Sequence, residues 1–158
     1  FIQAVAGQPP RGYERAVLER GQAPRDFAAS VQQVESERGE RRARWQAALS
    51  GDDPGQTLFA AAPRLALGTQ VQRKPVLGTG EFVWGYSLNS VSQPEGTPCS
   101  GLVAQLVSMI DGGTAVVQLL ARLASLGEPA QADQIRDSGL AALGILYVDG
   151  TIEELIGL

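Results

Sequence analysis

The residues that could do chemistry are few. The chain has one cysteine, Cys99, one lysine, Lys74, several close-set carboxylates and no histidine. Without imidazole there is no Ser-His-Asp or Cys-His nucleophile, no His-ligated zinc and no facial iron triad. Cys99 has no base to activate it, and a single thiol makes neither an internal disulfide nor a cysteine metal cage. It reads as a small buried residue at a helix start and fits a reducing, cytoplasmic setting. Asp52-Asp53 with Asp26 matches no calcium-loop spacing, and paired Asp beside Pro54 and Gly55 is turn chemistry. Glu153-Glu154 are sequence neighbours that do not converge on one substrate; they suit the start of a short helix capped by Thr151. The reading is therefore not an enzyme, with no cofactor and no metal.

Gly78-Thr79-Gly80 precedes an aromatic strand, not a helix N-terminus, so it reads as a hairpin turn and not a phosphate loop. Phe82, Trp84 and Tyr86 alternate with Val83, Gly85 and Ser87. The period of two marks a strand over Glu81 to Asn89 whose aromatic face is expected to pack on the core. Base stacking on that face would need basic neighbours. Arg38, Arg41, Arg42 and Arg44 are interleaved with Glu35, Glu37 and Glu40, the pattern of a solvated helical face with weak i,i+4 pairs.

These residues must be carried by a small number of elements. Tyr13 to Arg20 reads as a short helix after the breakers Pro9, Pro10 and Gly12. A second helix from Arg25, with Pro24 and Asp26 at its start, would bury Phe27, Val31 and Val34 and run to Leu49. Gly51-Asp52-Asp53-Pro54-Gly55 is a boundary, giving a helical extension over 1–55 and a domain over 56–158. In that domain a strand is expected over Leu65 to Lys74, then the aromatic strand. Three helices follow: one opened by Pro98 and stopped by Asp111-Gly112-Gly113, one capped by Thr114, and one over Ala130 to Leu146 that buries Ile135, Gly139, Leu143 and Leu146. The class is α+β: a small antiparallel sheet packed on a three-helix, winged-helix-like bundle after a helical N-terminal extension.

Charge is uneven. Residues 1–75 hold eleven Lys/Arg against eight Asp/Glu, a balance of +3. Residues 76–158 hold two against nine, a balance of −7. A third helix bearing Asp133 and Asp137 beside one Arg136 is a poor reader of phosphates, which disfavours winged-helix DNA binding. No apolar run approaches the roughly 20 residues of a membrane span. The partners expected are thus neither nucleic acid nor membrane.

The second segment resembles the PqqD-like fold, the precursor peptide recognition element of ribosomal peptide natural-product biosynthesis. Pro63-Arg64-Leu65-Ala66-Leu67-Gly68-Thr69-Gln70-Val71 is similar to the family's opening strand. Ile110-Asp111-Gly112-Gly113-Thr114-Ala115-Val116 resembles its helix junction, and Leu140 to Val148 its closing element. The resemblance implies a non-catalytic module that binds a precursor leader peptide and delivers it to a modifying enzyme. The leader would add a strand to the third sheet strand and lie beside the third helix, which is β-augmentation. The groove residues would be Tyr86, Leu88, Asn89, Val91, Ile135, Leu140 and Leu143. Asp133 and Asp137 would favour a leader carrying Lys or Arg. The rival reading is a structural module of a larger enzyme complex, or a homodimer paired through the Arg25–Leu49 helix.

Overall fold

A computed structural model describes residues 24–51, 54–91 and 93–158. The expected helix at Tyr13–Arg20 and the Asp52-Asp53 turn lie outside the described residues. The chain divides into two compact units, residues 1–37 and 38–158. The division falls at Glu37/Arg38.

In the first unit the described residues open helix α1 (Pro24–Ser50). Phe27, Val31 and Val34 share a side by their spacing. They are exposed, Phe27 at 73%, and not buried as the periodicity predicts. Gln33 donates to the Glu37 carboxylate at 3.1 Å.

The second unit begins with residues 38–50 of α1. It continues through α2 (Pro54–Ala60), β1 (Ala62–Leu65), β2 (Gln70–Val76), β3 (Val83–Asn89), β4 (Thr97–Cys99), α3 (Gly101–Met109), α4 (Val116–Ser125), a 3-10 turn (Pro129–Gln131), α5 (Ala132–Val148) and β5 (Ile152–Ile156). The class is α+β. The strands form two antiparallel ladders, β1–β5 and β2–β3–β4.

The core is apolar and continuous. Leu58, Leu106, Val116, Leu119, Leu143 and Ile152 are fully buried, and Trp45 of α1 joins them. Each side chain of this size contributes about 1.5–3 kcal/mol by leaving water. Gly139 lets α5 approach α4: a Cβ there would sit 2.8 Å from a Leu120 methyl and 2.9 Å from a Leu123 methyl. Gly144 does the same beneath the Trp45 indole, whose Nε1 lies 2.6 Å from the Cβ position.

Four local expectations need correction. The first strand is two strands: Gly68 (φ +80°) turns the chain, with the Thr69 hydroxyl donating to the Ala66 carbonyl at 2.8 Å, so β1 leaves the hairpin and pairs elsewhere. Pro98 sits in β4, and Ser100 caps α3 instead, accepting from the Val103 amide at 3.2 Å. Thr114 does not cap α4. The Asp111 carboxylate takes its hydroxyl at 2.8 Å, its amide at 2.7 Å and the Gly113 amide at 2.9 Å. Thr151 opens no helix; Ile152 and Leu155 are buried on β5, where pairing Ala62 with Ile156 satisfies the backbone. Glu153 and Glu154 therefore lie on a strand, bridged by Arg64 at 3.3 and 2.8 Å.

Candidate functional site

β2 and β3 form a hairpin closed by Gly78 (φ +83°) and Gly80 (φ +76°), with the Thr79 hydroxyl donating to the Glu81 carbonyl at 2.8 Å. Positive φ at both glycines, which Gly adopts without strain, lets the loop between Val76 and Val83 reverse the chain. The register runs from Gln70 opposite Asn89 to Val76 opposite Val83. Because strand side chains alternate, Val71, Arg73 and Pro75 share a face with Leu88, Tyr86 and Trp84.

At its base this face is covered. Val71 and Leu88 pack on the core, and Tyr86 comes close to Gly101 at the start of α3. Toward the tip it is open. Trp84 is 43% and Phe82 75% exposed, so the aromatic alternation marks the strand without marking a buried face. Phe82 meets Trp84 edge-on with centroids 5.1 Å apart, and the Arg73 guanidinium lies 4.6 Å over the Trp84 ring. The cation is held there by the ring quadrupole. Ser87 and Asn89 are the buried residues of β3. They are covered by the loop carrying Gly96, whose φ of +81° and near contact with the Ser87 hydroxyl leave no room for a side chain.

The edges of this sheet are unequal. β3 is central: β2 takes one side along its whole length and β4 takes the other at Tyr86–Leu88. An added strand therefore has no continuous edge on β3. β4 is three residues long and includes Pro98. Among the described residues β2 is the long free edge, seven residues of which all but Val71 are exposed. Pro75 has no N–H, so the ladder to β3 runs through the alternate residues Gln70, Gln72, Lys74 and Val76. Val71, Arg73 and Pro75 then turn their free backbone groups to the open side. Pro75 and Lys74 are also the residues that keep an exposed edge from indiscriminate pairing.

The expected groove does not form between β3 and the third helix. α5 packs on α4, β5, α3 and the 3-10 turn, and the helix beside β3 is α3. Tyr86 and Leu88 come together on one sheet face. Asn89 is buried, donating to the Pro94 carbonyl at 2.7 Å and accepting from the Ser87 hydroxyl at 3.2 Å, so it is a loop anchor. Val91 is exposed beyond the end of β3, against Gly68. Leu143 is fully buried and offers no surface; Leu140 is half-buried on the core, and Ile135 covers Gly127. Asp133 and Asp137 are exposed on α5, with Asp133 already bound to Arg136 at 3.1 Å.

Other chemistry-bearing groups are scattered. Cys99 lies at the end of β4 opposite Tyr86, directly before the α3 cap Ser100, and partial burial pushes its thiol above the ordinary range. Lys74 is exposed on β2. Among the described residues no three His, Cys, Asp or Glu side chains gather as a metal site. A concavity of about 320 Å³ between α1 and α5 is lined by Trp45, Ala141, Gly144, Ile145 and Val148, with Arg42 and Asp149 as its polar walls. Among the described residues no helix is long and apolar enough to cross a membrane.

The run Arg38–Arg44 holds the residue that the sequence most understates. Arg41 is no solvated charge: it donates to the carbonyls of Tyr147 (2.9 Å), Ile152 (3.0 Å) and Glu153 (2.9 Å). No family model, curated protein or solved structure matches the chain.

Proposed function

We propose that this chain is a non-catalytic peptide-binding module that captures an extended peptide by strand addition to the free edge of β2. The observation that carries the reading is that edge: seven residues, unpaired on one side among the described residues, beside an aromatic and cationic face held clear of the core. Backbone bonds to Val71, Arg73 and Pro75 would supply affinity, and the Arg73–Trp84–Phe82 face selectivity. The scarcity of reactive side chains fits a carrier better than a catalyst.

The source of the peptide follows from the PqqD-like resemblance: a precursor leader, handed to a modifying enzyme in ribosomal peptide biosynthesis. A winged-helix arrangement of α3, α4 and α5 with the β2–β3 hairpin as wing belongs to the same reading, as does a cytoplasmic location. The docking site moves from β3 and α5 to β2, because β3 is flanked on both sides. Titration with precursor-like peptides encoded beside this gene tests the proposal. Binding tighter than about 1 mM, equivalent to about 4 kcal/mol, is expected. If none of them binds at that level, the reading falls.

A second reading has its own observation. Phe27, Val31 and Val34 form an exposed apolar stripe on α1, which suits pairing with a second copy. Light scattering over a concentration series decides it: a mass that stays monomeric removes the dimer.

A further inference from the structure

The geometry points to an acidic side chain, placed two residues after an aromatic one, as the feature this edge selects in its peptide; the inference rests on the strand-capture reading. Arg73 is the central residue of β2 and shares a face with Pro75 and Trp84. Its guanidinium is stacked 4.6 Å over the Trp84 ring, and among the described residues no carboxylate lies within ion-pair distance of it. Stacking fixes the plane of a guanidinium and leaves its N–H fork for a carboxylate. Lys74, the next residue, adds a second positive charge to the same edge.

Register turns this into a pattern. An antiparallel guest runs from Pro75 toward Val71 as its own chain goes from N to C. The guest residue opposite Pro75 therefore comes two before the residue opposite Arg73, and both project onto the same face. An aromatic ring suits the first place, against Pro75 and the exposed side of Trp84. A Glu or Asp suits the second, under the Arg73 fork. The sign is opposite to the expectation from Asp133 and Asp137, which lie on a helix that does not border this sheet.

Two synthetic peptides differing at one residue provide the test: Thr-Val-Thr-Tyr-Thr-Glu-Thr-Val and the same sequence with Lys for Glu, each titrated to 2 mM (a concentration of roughly twice the 1 mM scale of weak binding) against the full isotope-labelled chain. An exposed ion pair is worth up to about 1 kcal/mol, so exchanging attraction for repulsion is expected to separate the two by about five- to ten-fold. The preference should vanish in Arg73→Gln and shrink in 1 M salt, where screening acts within about 3 Å. Equal binding of both peptides on β2 overturns the charge inference and leaves strand capture standing. Preference for the Lys peptide overturns it likewise. If neither peptide perturbs β2, strand capture itself is overturned.

Discussion

Arg41 lays its guanidinium 4.9 Å from the centre of the Tyr147 ring and donates to the carbonyl of the same residue at 2.9 Å. That carbonyl lies at the C-terminal end of α5, where main-chain acceptors are left over and a cation is favoured. The other two bonds reach the Ile152 and Glu153 carbonyls of β5. One side chain thus ties α1, α5 and β5 together. Charged hydrogen bonds of this kind contribute about 1.5–3 kcal/mol, and their loss strands acceptors. Arg41→Ala is expected to cost about 2–3 kcal/mol, read as a lower urea midpoint at unchanged slope. Arg42→Ala, at an exposed neighbour, should stay within about 0.5 kcal/mol.

Two glycines in helices should respond with opposite signs. A Cβ on Gly39 meets nothing within 4 Å, so Gly39→Ala is expected to stabilise by up to about 1 kcal/mol. A Cβ on Gly144 would sit 2.6 Å from Trp45 Nε1, and a buried indole has little room to yield. Overpacking should outweigh the helical gain there, and Gly144→Ala should lose about 1–2 kcal/mol. Paired thermal melts check both signs at once.

Asp111 sets an acid limit on the α3–α4 junction. The Gly113 amide, then the Thr114 amide and hydroxyl, hold its carboxyl down at about 2 from an ordinary 3.8. A depressed folded value means that the contribution is complete above the unfolded value and is lost as pH falls through the folded one. The melting-temperature gap between the native chain and Asp111→Asn should be constant above about pH 5, then narrow steadily from about pH 4 to about pH 2. A gap unchanged over that window would show that the carboxylate charge contributes nothing.

The two tryptophans should separate in solution. Trp45 is 8% exposed in the core and Trp84 43% exposed on the hairpin. Acrylamide should quench the Trp84 emission readily and leave Trp45 bright. Trp84→Ala should remove the quenchable component and change stability by less than about 1 kcal/mol, because the ring contributes little to the core.

Local patterns in the sequence carried the helices well. The spacing of Leu102, Leu106, Ile110 and of Val116, Leu119, Leu123 places α3 and α4 within a few residues, and Gly78-Thr79-Gly80 places the hairpin turn. Features that depend on distant partners did not show. β5 reads locally as a capped turn, and only its pairing with β1, which joins Ala62 to Ile156 and Leu65 to Ile152 across most of the domain, makes it a strand. Alternation in β3 reveals a period without saying which face is covered; the loop carrying Gly96 decides that by closing over Ser87 and Asn89. Arg41 sits among charges that resemble a solvated face, while its three carbonyl partners lie over a hundred residues away. The edges of the sheet are a feature of the same kind: β4 is only three residues around Pro98, and its pairing with Tyr86–Leu88 is what makes β3 central and leaves β2 at the rim.

Amide hydrogen exchange of β2 with and without a bound peptide tests the strand-capture account most directly. The Val71 and Arg73 amides, turned to the open side, are expected to slow markedly on binding, while those of Gln70, Gln72 and Lys74, already engaged with β3, change little. A peptide that binds yet leaves Val71 and Arg73 exchanging as before would contradict it.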